Sequence, residues 1–136
     1  MATASDDNFD WVTAQGGCSA AQMFKKLQDG VKADVDRRNG AGFGRSDNWR
    51  FEFHEDDSGF EVVRVTESAK AGAVVTFELE GPRINIMGDG VDVHIVAVVG
   101  INHSGECRYY VGEGEYLGWE VRKQALDQLF FEDTEE

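Results

Sequence analysis

The chain has 136 residues, 41% hydrophobic and 29% charged, which suits one domain with a core of its own and excludes an intrinsically disordered chain. Its 26 acidic residues outnumber 13 basic ones, for a formal net charge of −13. That field disfavours nucleic acid and anionic membrane surfaces, so neither is an expected partner; a basic protein or peptide is the partner it would attract.

In chain order, residues 1–18 read as a polar, loosely held start, with Asp6, Asp7 and Asp10 around Phe9 and with Trp11 packing down onto the domain. No basic segment followed by an apolar one opens the chain, so no secretion signal is expected. Ser19 then precedes a helix over Ala20–Arg38. Its apolar residues, Met23, Phe24, Leu27, Val31 and Val35, recur in steps of one, three and four, placing one stripe on one helical face. Gly30 weakens this helix without breaking it, and Asn39-Gly40 is expected to stop it.

After the glycine-rich "NGAGFGRSD" the period changes to two. "WRFEFHE" alternates Trp49, Phe51 and Phe53 against Arg50, Glu52 and His54, the mark of a half-buried strand. "FEVVRVTE" follows with a change of phase that suggests a bulge or coverage on both faces. "AVVTFELE" and "RINIM" are the third and fourth strands. In "VDVHIVAVVGI" one face is apolar throughout, while the other begins with Asp92 and His94 and turns apolar at Val96 and Val98. Apolar residues on both sides imply cover on both sides, so this strand is expected mid-sheet beneath a helical layer. "NHSG" turns the chain into a partner strand, "ECRYYVG". "LGWEVRKQALDQLFF" then gives a second amphipathic helix, with Trp119, Arg122, Leu126, Leu129 and Phe130 on one side, before the acidic tail 132–136. The expectation is an α+β domain over residues 19–131: a mostly antiparallel, curved sheet of about six strands with an N-terminal and a C-terminal helix on one face.

Chemistry is less legible. Asp92 and His94 share a strand face two residues apart, an ingredient of general-base catalysis, but no motif ties a nucleophile to them. His103 and Cys107 flank a predicted turn; Cys107 lies in phase with Tyr109 and Val111 and reads as a small core residue rather than a nucleophile. With only His54, His94, His103, Cys18 and Cys107 as soft or nitrogen ligands, and no metal-binding spacing among them, neither a metal nor a cofactor is expected. Cys18 and Cys107 show no secreted-type disulfide pattern, so free thiols and a cytoplasmic location are expected.

"RRNGAGFGR" gathers Arg37, Arg38 and Arg45 with Asn39 and Phe43 in a chain short of positive charge. It lacks the lysine and the following helix of a phosphate loop, so these five residues are candidates for contact with a ligand or partner. The sequence favours a protein-binding, adaptor or chaperone-like module over an enzyme. The alternative is a small-molecule-binding protein or enzyme with a pocket between helices and sheet, and a homodimer or other homo-oligomer is a further possibility.

Overall fold

A computed structural model describes residues 8–41, 49–66 and 71–132 of the chain. Among the described residues three helices and seven strands follow in the order α1 Trp11–Gly16, α2 Ala20–Ala41, β1 Arg50–Glu55, β2 Gly59–Val65, β3 Ala71–Glu80, β4 Arg83–Asp89, β5 His94–Ile101, β6 Cys107–Val111, β7 Gly114–Tyr116 and α3 Gly118–Phe131. The strands form one antiparallel sheet whose spatial order is the sequence order. Consecutive strands therefore pair antiparallel throughout, which the described turn residues between strands favour. Asp56, for example, accepts hydrogen bonds from the backbone N–H groups of Ser58 and Gly59. The fold is the expected α+β arrangement, a curved open antiparallel sheet flanked by N- and C-terminal helices, with seven strands rather than six. The additional strand, β7, is three residues long, too short to show alternation.

Both α2 and α3 lie on one face of the sheet. The predicted α2 stripe is buried at every position, from Met23 to Val35. Across the sheet, Phe60, Phe77, Ile86 and Ile95 stand opposite one another on neighbouring strands and are buried beneath the helices. Phe60 and Phe77 stack at 4.5 Å between ring centroids, and Phe24 of α2 meets Phe60 at 5.2 Å. In α3 the buried stripe is Val121, Ala125, Leu126, Leu129 and Phe130. Trp119, expected inside, is 55% exposed. The stripe is rotated because steps of four from Val121 point at the sheet.

Several boundaries differ from expectation. The segment before residue 19 is not wholly loose: Asp10 caps α1 by accepting from the Thr13 N–H at 3.0 Å and its hydroxyl at 2.6 Å. The Thr13 hydroxyl and N–H hold the Asp10 carboxyl below its ordinary range. Phe9, not Trp11, docks this arm, with its ring against Gly105, whose φ of 78° a side chain would not tolerate. Trp11 is 59% exposed. Ser19 caps α2 as expected, accepting from Gln22 N–H at 3.1 Å, but Asn39-Gly40 does not end that helix. It continues to Ala41 because the Asn39 amide is engaged elsewhere: it donates to Phe51 O at 2.8 Å and accepts from Phe51 N–H at 2.9 Å.

The largest correction concerns β5. It lies inside the sheet between β4 and β6, and its first side is covered as expected. Its second side is not: Val96 and Val98 are 39% and 42% exposed. Among the described residues no helix lies over them, because both long helices occupy the other face. The phase change in β2 is a bulge between Val63 and Val65, with residues of both phases buried.

The two cysteines are not free thiols. Cys18, between α1 and α2, forms a disulfide with Cys107 of β6. Their spacing of 89 residues is one that no local sequence pattern reveals. The fold brings them together because α2 begins over β6, where Tyr109 donates its hydroxyl to Met23 O at 2.6 Å.

Candidate functional site

The catalytic candidates do not assemble. His94 opens β5 on the exposed side, while the Asp92 backbone N–H donates to Gln128 Oε1 of α3 at 2.9 Å. Among the described residues no hydrogen bond joins Asp92 to His94. His103 is exposed in the β5–β6 turn, and Cys107 has no thiol to offer because its sulfur is bonded to Cys18. Among the described residues no group of three or more His, Cys, Asp or Glu side chains is placed to hold a metal.

The partner-binding candidates separate. Phe43 and Arg45 lie outside the described residues. Arg38 is 6% exposed, and its Nε donates to Phe130 O at 2.9 Å while its guanidinium lies 5.0 Å from the Phe51 ring centre. Arg64 of β2 plays a matching part, donating to Leu129 O at 3.0 Å and Glu132 O at 2.9 Å and lying 4.1 Å from the Trp49 ring centre. Two buried arginines from other elements thus reach the last carbonyls of α3, where cations complement the helix dipole and the last turn has no basic residue of its own. Asn39 closes the outer edge of β1 by pairing with both backbone groups of Phe51, which is how a sheet edge is kept from recruiting another strand. Arg37 is solvent-facing, its side chain 70% exposed beside Asp34.

Leu27, Val31, Ile84, Ile86 and Leu129 fill the centre of the layer between helices and sheet at 0–1% exposure, and two clefts open to solvent lie at its rim: one of about 330 Å³ between α2, α3 and β6, where Met23, Cys107 and Tyr109 line it, and one of about 420 Å³ between α3 and the start of β5, where Asp92 and His94 line it. The broad uncovered surface is instead the opposite face of the sheet. Strand register sets its residues in rows. One row runs His54, Glu61, Thr76, Met87, His94; the next Glu78, Asn85, Val96; the next Glu80, Arg83, Val98, Tyr110, Glu115. Met87, Val96 and Val98 are 48%, 39% and 42% exposed and lie on adjacent rows, an apolar ridge across β4 and β5.

Carboxylates frame the ridge. Glu52 and Glu61 flank His54 at 3.2 and 3.4 Å. The Arg50 side chain, hydrogen-bonded to Glu52, keeps that carboxyl below its ordinary range. Glu80 accepts from Asn85 Nδ2 at 2.6 Å. Burial, and secondarily the charge of Glu115, hold the Tyr110 hydroxyl above the usual phenol value. The polar alternation of β1 and β3 was readable in the sequence. The exposure of the ridge was not, because valines in a central strand look the same whether or not something covers them.

Comparison with protein-family models, with curated proteins and with solved structures gives no match. Among the described residues no helix is long and apolar enough to cross a membrane.

Proposed function

We propose that the protein is a binding module, adaptor- or chaperone-like, that takes a basic partner on the open face of its sheet. The observation that carries this reading is the ridge of Met87, Val96 and Val98 standing exposed among the carboxylates Glu61, Glu78, Glu80 and Glu115. An apolar centre supplies affinity on desolvation, and the acidic surround selects and steers a cationic surface. The edges offer less. Asn39 occupies Phe51 on β1, and β7 presents three residues. Two copies meeting face to face would set Glu78 and Glu80 against like charges, so the reading favours a foreign basic partner over a second copy.

The test is purification from the native cell at low ionic strength, comparing the wild type with Val96→Glu/Val98→Glu and with Glu78→Lys/Glu80→Lys. The expected result is a stoichiometric basic protein that salt releases and that both variants fail to retain. Retention by both variants would refute the open face as the site. Light scattering of the isolated protein is expected to give a monomer. A cytoplasmic location requires a compartment that leaves the Cys18–Cys107 bridge intact, because cellular reductants keep most cytosolic thiols reduced. Alkylating thiols in intact cells before lysis reads this directly.

A further inference from the structure

On the other side of the molecule, a surface groove of about 350 Å³ lies between α2 and α3. Its composition reverses that of the chain. Arg37, Arg38, Arg122 and Lys123 line it against two acids, Asp34 and Asp127, whereas the whole sequence has 13 bases against 26 acids. Its floor is Leu126 and Phe130, and Trp119, 55% exposed, stands at one end.

The cations are placed by packing. A Cβ on Gly30 would lie 2.6 Å from Arg122 Nη1, so the absence of a side chain there makes room for the Arg122 guanidinium against α2. From that slot Arg122 Nε donates to Asp34 Oδ2 at 2.7 Å, while Arg37 Nη1 donates to Asp34 Oδ1 at 3.0 Å. Two guanidiniums share one carboxylate, which leaves a positive charge over. Lys123 and Asp127 neutralise each other at 2.9 Å, but the Lys123 side chain is 64% exposed and free to swing toward the groove.

We infer that this groove binds a small organic anion with a flat apolar body, of the aromatic carboxylate class. Trp119 offers a ring face, Leu126 and Phe130 an apolar floor, and Arg37 with Arg122 a surplus charge for the carboxylate. The volume lies at the small-molecule end of ligand sites, which span roughly 300–1,000 Å³. The site is separate from the open sheet face and stands or falls independently of it.

The experiment uses two probes with one ring system, 2-naphthoate and 2-naphthylmethylammonium, titrated into the full chain by calorimetry with the Trp119 indole N–H followed by NMR. The field of a chain with net charge −13 favours the cation, so only a local site reverses the order. The anion is expected to bind one to one, at least tenfold more tightly than the cation, and to shift the Trp119 signal. Arg37→Glu/Lys123→Glu is expected to lower anion affinity at least tenfold with the fold retained by circular dichroism, and Trp119→Phe to keep most of it. Equal or tighter binding of the cation, no binding of either probe, or an unchanged affinity in the charge-reversed variant would overturn the inference. If the charge-reversed variant does not fold, a Trp119 signal unmoved by naphthoate in the wild type overturns it equally.

Discussion

Replacing both cysteines with serine tests what the bridge contributes. The Cys18–Cys107 link closes 89 residues, so it removes more denatured-state freedom than a local crosslink does. The loop-closure relation, 2.1 + 1.5R ln n with n set to that spacing, gives about 15.5 cal/mol/K, or about 4.6 kcal/mol at 25 °C. Both sulfurs sit at partly exposed positions, so serine hydroxyls reach water there and add little penalty of their own. For a chain of 136 residues, an unfolding entropy of ~2.1 cal/mol/K per residue converts this loss to a fall in Tm of about 16 °C.

The assay is urea unfolding followed by far-ultraviolet circular dichroism, on oxidised wild type, on wild type held in a phosphine reductant, and on Cys18→Ser/Cys107→Ser. Thiol counting establishes the redox state of each sample. The reduced wild type and the double variant are expected to coincide, both well below the oxidised protein, with a steeper dependence on urea because the unbridged chain expands further. Hydrogen exchange is expected to quicken most over residues 9–17, because α1 buries none of its own residues. A stability difference under ~1 kcal/mol in protein shown to carry the bridge would refute the entropic account.

Other expectations follow from single contacts. Burial raises the Tyr109 hydroxyl from 10.0 to about 12. The folded state therefore holds that proton more tightly than the unfolded one; the stabilisation is complete below pH 10 and is lost as pH climbs through about 12. Wild type minus Tyr109→Phe is expected to fall by up to about 3 kcal/mol across that window in pH-dependent urea unfolding, and a flat difference would refute it. Gly30→Ala should raise helix propensity by up to ~1 kcal/mol, yet crowding of Arg122 is expected to make it destabilising. In an Arg122→Ala background the same change is expected to stabilise, a reversal that a double-mutant cycle reads. Asn39→Ala removes both hydrogen bonds to Phe51, an expected loss of about 1–3 kcal/mol. It also bares the β1 edge, so light scattering is expected to show concentration-dependent association.

What the sequence disclosed was what period discloses. The α2 stripe, the alternation of β1 and β3 and the β5–β6 hairpin were visible because local spacing and burial coincide there. Trp119 was assigned inward because a helical stripe drawn from Trp119 and one drawn from Val121 differ by about half a turn, and bulk favours the first. The open side of β5 was misread for a related reason: Val96 and Val98 satisfy strand propensity with or without a covering layer. The rest depended on contacts distant in the chain. Nothing near Arg38, Asn39 or Arg64 announces that they will cap α3 and close the edge of β1, and no spacing pattern links Cys18 to Cys107. Of the described partner-binding candidates, Arg37 lies solvent-facing beside the groove and Arg38 lines it from a buried place, and most of the residues that complete that groove come from α3, some 85 positions later.

Net charge is a poor guide to such a molecule at contact range. Packed layers of secondary structure lie roughly 10 Å apart, and the screening length at physiological salt is ~8 Å. The acidic sheet face and the cationic groove are on opposite sides of a helix layer packed on a sheet, so each acts at contact distance as a separate surface. The total of −13 governs approach from afar, where it favours basic molecules, while local composition governs what stays bound. Salt separates the two contributions. Raising ionic strength from low to physiological is expected to slow association of a basic partner with the sheet face, since steering is lost first. The same change is expected to leave the ratio of naphthoate to naphthylmethylammonium affinity above one, because Arg37, Arg122 and Lys123 meet the carboxylate within the screening distance. A ratio that rises toward one only as salt is added, from below, would mean that the global field and not the groove sets the preference.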